Sequence, residues 1–120
     1  MDTLTKNFRR SEFECRCGCG LDTISYELVE ALQILREQLG CAIHVTSGCR
    51  CEAHNQAVGG EENSQHLLKN GCRAADIVVR NMTPRQVARE AERIEVFRNS
   101  GIGNYRGFTH LDVRRWKARW

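Results

Sequence analysis

The 120-residue sequence has a single proline and no low-complexity run, which argues against long disordered stretches. Nothing in it approaches the roughly 20 consecutive apolar residues of a membrane-spanning helix, so no membrane insertion is expected. The first residues, MDTLTKNFRRSEF, lack the apolar centre of a secretory signal. The expectation is therefore a chain made in the cytoplasm that reaches any outside target only after release. A strong charge bias is also missing: the formal net charge is +3. Most of the excess gathers in VRRWKARW, which reads as a solvated basic tail. A nucleic-acid reader would show a stronger basic stripe and a recognisable reading element, so no nucleic-acid partner is expected. No repeat or linker divides the chain. It reads as one domain, residues 1–120, and as a monomer.

Cysteine, by contrast, is abundant and odd in number, with seven residues. Without a secretory signal, reduced thiols or metal ligands are favoured over a disulfide framework. Cys15, Cys17 and Cys19 lie in CRCGCG, within an irregular cysteine-rich segment, residues 1–22. Cys49 and Cys51 form CRC, while Cys41 and Cys72 stand apart. The three thiols of CRCGCG look too crowded for all to share one tetrahedral ion. Two readings follow. Cys15 and Cys17 join Cys49 and Cys51 in a structural zinc site, which would help a small domain. Alternatively, the cysteines are reduced and pack as small hydrophobes.

Periodicity supplies the elements. In ISYELVEALQILREQLG, Leu28, Leu32, Leu35 and Leu39 recur at helical spacing with Val29 and Ala31 alongside; Ser25 suits the N-cap and Gly40 the stop. AIHVTS alternates and predicts a strand over 42–47. CEAHNQAV predicts a short helix. SQHLL and RAADIVVR predict two strands around a turn at Asn70-Gly71. Thr83-Pro84-Arg85-Gln86 is a helix start with a capping box, followed by an inward face of Val87, Ala88, Ala91 and Ile94. GIGNY and FTHLDV predict two closing strands. The class is α+β.

Three side chains offer metal chemistry. His66 and Asp76 flank the predicted turn and can share one side of a hairpin; His110 sits on the last strand. Two imidazoles and one carboxylate leave a fourth tetrahedral position free, as in catalytic rather than structural zinc sites. The plain alternative is a polar strand end at His66, a strand-entry residue at Asp76 and a half-buried histidine at His110. His44 alternates with Ile43 and Val45 and belongs on the outer strand face. His54 falls on a short helix and reads as exposed. Trp116 and Trp120 pack the tail against the core or stack on sugars.

The ordered stretches SGCRCEAHNQAVGG, SQHLLKNGCRAADI and GIGNYRGFTHLDVR resemble the zinc peptidases of the D-Ala-D-Ala carboxypeptidase and murein endopeptidase group, peptidase family M15, in its small phage and bacterial branch. The resemblance runs from about NFRRSEF to HLDVRRW. It implies the hedgehog/D,D-peptidase fold, a small antiparallel sheet with helices packed on one side. It also implies a zinc ion held by His66, Asp76 and His110, with Arg50 of S-G-x-R holding a substrate carboxylate. Ser64 of S-x-H becomes a substrate or supporting contact, and Asn55 a structural residue. The implied activity is hydrolysis of peptidoglycan stem or cross-link peptides, in an endolysin or wall-remodelling role. Tyr105 then either donates to the developing oxyanion or packs as a strand aromatic on the core.

Two departures stand out. Relatives usually separate the first histidine and the aspartate by seven positions; here the spacing is ten. Many relatives also carry an acid three positions before the second histidine, where this chain has Gly107. Asp112, on the same strand face as His110, is the nearest acid in sequence, as a base or as a carboxylate orienting an imidazole. The alternative function is a zinc-binding module, weak or inactive in catalysis, that binds peptide or protein through the same groove. A third reading, a cysteine-rich module binding nucleic acid, requires a functional basic tail.

Overall fold

Leu28, Leu32 and Leu35, spaced to share one helical face, produce the longest helix of the computed structural model, which describes residues 2–120. This is α1 (Tyr26–Leu39). The Ser25 hydroxyl accepts from the Leu28 N–H at its start, and Gly40 ends it. The other helices are shorter: α2 (Glu52–Ala57), α3 (Pro84–Ala91) and α4 (Glu95–Arg98). At α3 the Thr83 hydroxyl accepts from the Gln86 N–H while the Gln86 side chain accepts from the Thr83 N–H. This is the reciprocal cap that TPRQ encodes.

Five strands form one sheet: β1 (Ile43–Ser47), β2 (Ala74–Val79), β3 (Gly101–Asn104), β4 (Thr109–Asp112) and β5 (Ala118–Arg119). Their order is β1-β2-β4-β3-β5. All pairs are antiparallel except β3 with β5. Alternation along the strands separates two faces. Ile43 and Val45 of β1, Ala75, Ile77 and Val79 of β2, and Leu111 of β4 join α1 and α3 side chains in the core. The intervening residues of β2 and β4, Asp76, His110 and Asp112, therefore lie on the opposite face, and they too are buried.

The predicted strand at SQHLL does not form. Both edges of β2 are already paired, with β1 on one side and β4 on the other, so no edge is left for it. Residues 64–67 instead fold into turns that lead into a 3-10 turn, Leu68–Asn70. The Arg50 N–H donates to the His66 carbonyl at 2.9 Å, and Leu67 is buried. The segment is thus held against the loop after β1 rather than against β2.

The N-terminal segment is irregular, yet tightly held. Phe8 and Phe13 enter the core. The buried Gln33 amide accepts from the Thr5 hydroxyl and the Asn7 N–H and donates to the Asn7 side chain, each at 2.8 Å. The basic tail is not simply solvated. Arg114, Arg115 and Arg119 meet Asp112, Glu27 and Glu92 respectively, and β5 adds an edge that the periodicity did not reveal. Among the described residues, every buried side-chain nitrogen and oxygen has a partner.

The cysteines depart from expectation. Cys49 is disulfide-bonded to Cys72, so it is not available to a zinc site with Cys15, Cys17 and Cys51. Cys19 takes its place: Cys15, Cys17, Cys19 and Cys51 lie together. The Gly-punctuated CRCGCG turn curls its three thiols toward one point, which sequence spacing alone had made look too crowded.

Leu32→Ala, at a fully buried position of α1, is expected to lower unfolding stability by about 3 kcal/mol, read as a lower urea midpoint with an unchanged slope. Ile34→Ala, on the exposed face of the same helix, is expected to change it by under about 0.5 kcal/mol.

Candidate metal centre

Antiparallel pairing sets Asp76 of β2 directly opposite His110 of β4. The third group comes from outside the sheet. His66 rides on the turn segment before β2, and its imidazole is brought in by the loop after β1. The pairing of β1 with β2 is irregular between Val45 and Ser47. Such a bulge turns the strand end and delivers Ser47, Gly48 and Arg50 to the same place. His66 Nδ1 lies 2.7 Å from the Gly48 carbonyl oxygen, and its ring meets that of His110 edge-on at 5.1 Å.

A carbonyl oxygen only accepts, so His66 carries its proton on Nδ1 and presents the Nε2 lone pair to Asp76 Oδ1, 3.3 Å away. His110 is arranged in mirror fashion. Its Nε2–H donates to Asp112 Oδ2 at 2.8 Å, and Nδ1 faces Asp76 Oδ1 at 3.1 Å. Three acceptors thus point at one another with no donor between them, and their ligand atoms all lie within 4.8 Å. Such a set needs a cation or a proton at its centre, and a divalent metal ion fits it: neutral imidazoles and a carboxylate, each ring held by a second partner. His66, Asp76 and His110 can therefore hold a metal ion.

The metal-free electrostatics agree. Burial opposes charge on Asp76, but a bond from protonated His110 and the adjacent His66 ring outweigh it and hold the carboxyl well below the usual carboxylate range. Burial dominates at His66 and lowers its pKa. At His110 burial is overcome by the bonds to Asp112 and Asp76, and the pKa rises. A proton on His110 fills the gap that a metal would otherwise fill.

Asp112 is fully buried behind His110. Besides His110, its carboxylate accepts from Arg114 Nη2 at 2.7 Å and from the Gly101 N–H at 2.9 Å. A Cβ at Gly101 would collide with that carboxylate, so the close approach requires glycine. Asp112 does not line the cleft. Burial works against its charge, yet His110 and Arg114 keep it ionised far down the pH scale.

The three ligand candidates lie at the inner end of a cleft of about 810 Å³, which Arg50, Ser64 and Tyr105 also line. Arg50 donates from Nε to Ser47, from Nη1 to Asn55 and from Nη2 to Asp76. Asn55 is buried, as a structural residue would be. The Ser64 hydroxyl accepts from the His66 N–H at 3.1 Å. Tyr105 does not pack on the core. It is 42% exposed, stacks on Phe108, and its hydroxyl accepts from Trp120 Nε1 at 2.7 Å. Trp120 itself lies against His110, with centroids 4.9 Å apart. Gly107 is exposed with open space around it.

Several site features escaped the sequence reading. The Gly48 carbonyl that fixes the His66 tautomer is backbone and leaves no trace in residue type. Arg114 had a signal, a cation two positions beyond Asp112 on an extended chain. Glu61 and Glu62 line the cleft from the polar stretch GGEEN, which carries no motif of its own.

No helix among the described residues is long and apolar enough to cross a membrane. No curated protein matches the chain. A family model described as peptidase M15 does match, over residues 6–112, a span that takes in Arg50, Ser64, His66, Asp76, Tyr105, His110 and Asp112. With nearly the whole chain covered, an α+β fold of the implied kind and a metal-competent His-Asp-His cluster at the base of a cleft, this protein belongs to the peptidase M15 family.

Proposed function

We propose that the chain is a zinc-dependent peptidase that hydrolyses stem or cross-link peptides of peptidoglycan, in an endolysin or wall-remodelling role. The observation that carries this reading is the convergence of His66 Nε2, Asp76 Oδ1 and His110 Nδ1 at the inner end of an open cleft, next to Arg50. Two imidazoles and a carboxylate leave one tetrahedral position for water or substrate. His66, Asp76 and His110 would hold the zinc ion, which would supply Lewis acidity toward a scissile carbonyl and lower the pKa of water to about 7.

The chain's own residues do the rest. Gly48 and Asp112 hold the two imidazoles so that their lone pairs converge. Arg50 has used three of its five N–H donors on Ser47, Asn55 and Asp76, which leaves one on each terminal nitrogen. That pair suits a substrate carboxylate, and binding there orients the peptide for attack. The Ser64 and Tyr105 hydroxyls each accept one bond within the protein and keep a proton to donate to the substrate. Asp112 acts as a positioning residue through His110. With no acid at position 107, the proton released from the attacking water passes to a carboxylate on the cleft wall. Glu61 and Glu62 are the acids that line it besides Asp76.

The absence of an acid at position 107 also favours the second reading, a peptide-binding module that has lost turnover. Defined cross-linked muropeptides separate the two. Zinc-loaded protein is expected to release product detected by mass, to stop when a chelator is added, and to lose cleavage in His66→Ala. Binding without product would establish the module instead.

Two further outcomes follow from the geometry. Asp112→Asn is expected to weaken zinc binding at this site by about 10- to 100-fold, measured by competition with a chromophoric chelator. Of Glu61→Gln and Glu62→Gln, one is expected to lower kcat by about a hundredfold or more with zinc content unchanged, whereas Arg50→Lys should raise KM about tenfold.

A further inference from the structure

We propose that Cys15, Cys17, Cys19 and Cys51 bind a second zinc ion, structural and tetrathiolate, which pins the loop carrying Arg50. The geometry is that of an ion's coordination shell. Cys15 Sγ lies 3.5 Å from Cys17 Sγ and 3.9 Å from Cys51 Sγ, and Cys17 and Cys51 are 3.7 Å apart. All four sulfurs fall within 4.8 Å of one another. Four thiolates around zinc at about 2.3 Å give tetrahedral edges of about 3.8 Å. The three distances among Cys15, Cys17 and Cys51 sit near that value and far from the roughly 2.05 Å of a disulfide bond. Cys49 and Cys72, by contrast, are bonded, so the chain keeps its disulfide pair apart from this cluster.

The local backbone is shaped for the cluster. Gly18, with φ of 82°, takes the left-handed turn that folds Cys17 and Cys19 back toward Cys15. The Gly18 N–H donates to the Cys15 carbonyl, and the Cys15 N–H to the Leu21 carbonyl, closing the segment. Two amides also point at sulfur: Cys51 N–H toward Cys15 Sγ at 3.5 Å and His54 N–H toward Cys51 Sγ at 3.3 Å. Amide donors of this kind stabilise thiolates. Four thiolates close the tetrahedron, so this ion has no open position and no part in hydrolysis.

Its place in the fold gives it a task. Cys51 directly follows Arg50, and Cys49 directly precedes it. The Cys49 N–H donates to the Phe13 carbonyl at 2.8 Å, so the N-terminal segment and the Arg50 loop already touch. The ion ties them on one side of Arg50, and the Cys49–Cys72 disulfide ties the loop to the start of β2 on the other. A segment of the chain that contributes no residue to the cleft thereby holds the residue proposed to bind the substrate carboxylate. This last role rests on the peptidase reading; the metal site does not.

The test isolates the cysteine site by disabling the other one. His66→Ala protein, isolated anaerobically with zinc, is expected to carry one zinc per chain by native mass spectrometry. A thiol-directed mercurial should release that equivalent, and cobalt loading should give the intense thiolate-to-cobalt charge-transfer absorption of a sulfur-rich tetrahedral site. Wild-type protein is expected to carry two zinc ions, of which the mercurial releases one. A His66→Ala protein with no bound metal, or one whose cobalt form lacks thiolate bands, overturns the proposal. So does a wild-type chain whose zinc is untouched by the mercurial. Failure of the peptidase site alone looks different: wild-type protein then carries one zinc, released by the mercurial and retained in His66→Ala.

Discussion

The register between β2 and β4 is the constraint on which the rest of the structure depends. It sets Asp76 and His110 opposite each other on the sheet face away from α1 and α3. A slip of either strand by one residue would turn its own ligand, Asp76 or His110, toward the core and Ala75 or Leu111 out of it. The apolar alternation AADIVV and FTHLDV therefore does two jobs at once. Ala75, Ile77, Val79 and Leu111 bury one face, and that burial enforces which polar residues meet on the other.

Buried charge at such a place is costly unless it is matched. Here it is matched before any ion arrives. Asp76 has Arg50, and Asp112 has Arg114, so two carboxylates face two guanidiniums with two imidazoles between them. The network is directional as well as paired. Asp112 and the Gly48 carbonyl accept the ring N–H groups and leave the lone pairs aimed inward. Asp112, fully buried and bonded on both oxygens, touches His110 and does not line the cleft. Gly101 is the structural counterpart of that arrangement, since only a residue without a Cβ lets β3 approach the carboxylate.

Much of this was legible in residue order, for identifiable reasons. Helix α1 announced itself through leucine spacing between a serine cap and a glycine stop, and α3 through a capping box with proline at its start; both signals are local. His66, Asp76 and His110 were nameable because their residue types and motif order are unusual together. The route by which they meet was not. A hairpin carrying His66 beside Asp76 looked natural until the sheet order showed both edges of β2 occupied, a non-local fact. The same holds for β5, too short to carry a period, and for Tyr105, whose exposure is set by Phe108 and Trp120. Cysteine pairing was the least readable of all. Cys49 and Cys72 are 23 positions apart, and nothing local distinguishes Cys49 from Cys51, yet one is bonded and the other faces the CRCGCG turn.

Crystals grown with zinc and measured on both sides of the zinc absorption edge test the central claim most directly. An anomalous peak is expected about 2.0–2.1 Å from both His66 Nε2 and His110 Nδ1, with an Asp76 oxygen completing the protein ligands. A map with no peak between these three side chains, or one in which the metal sits on the opposite ring nitrogens, would contradict it.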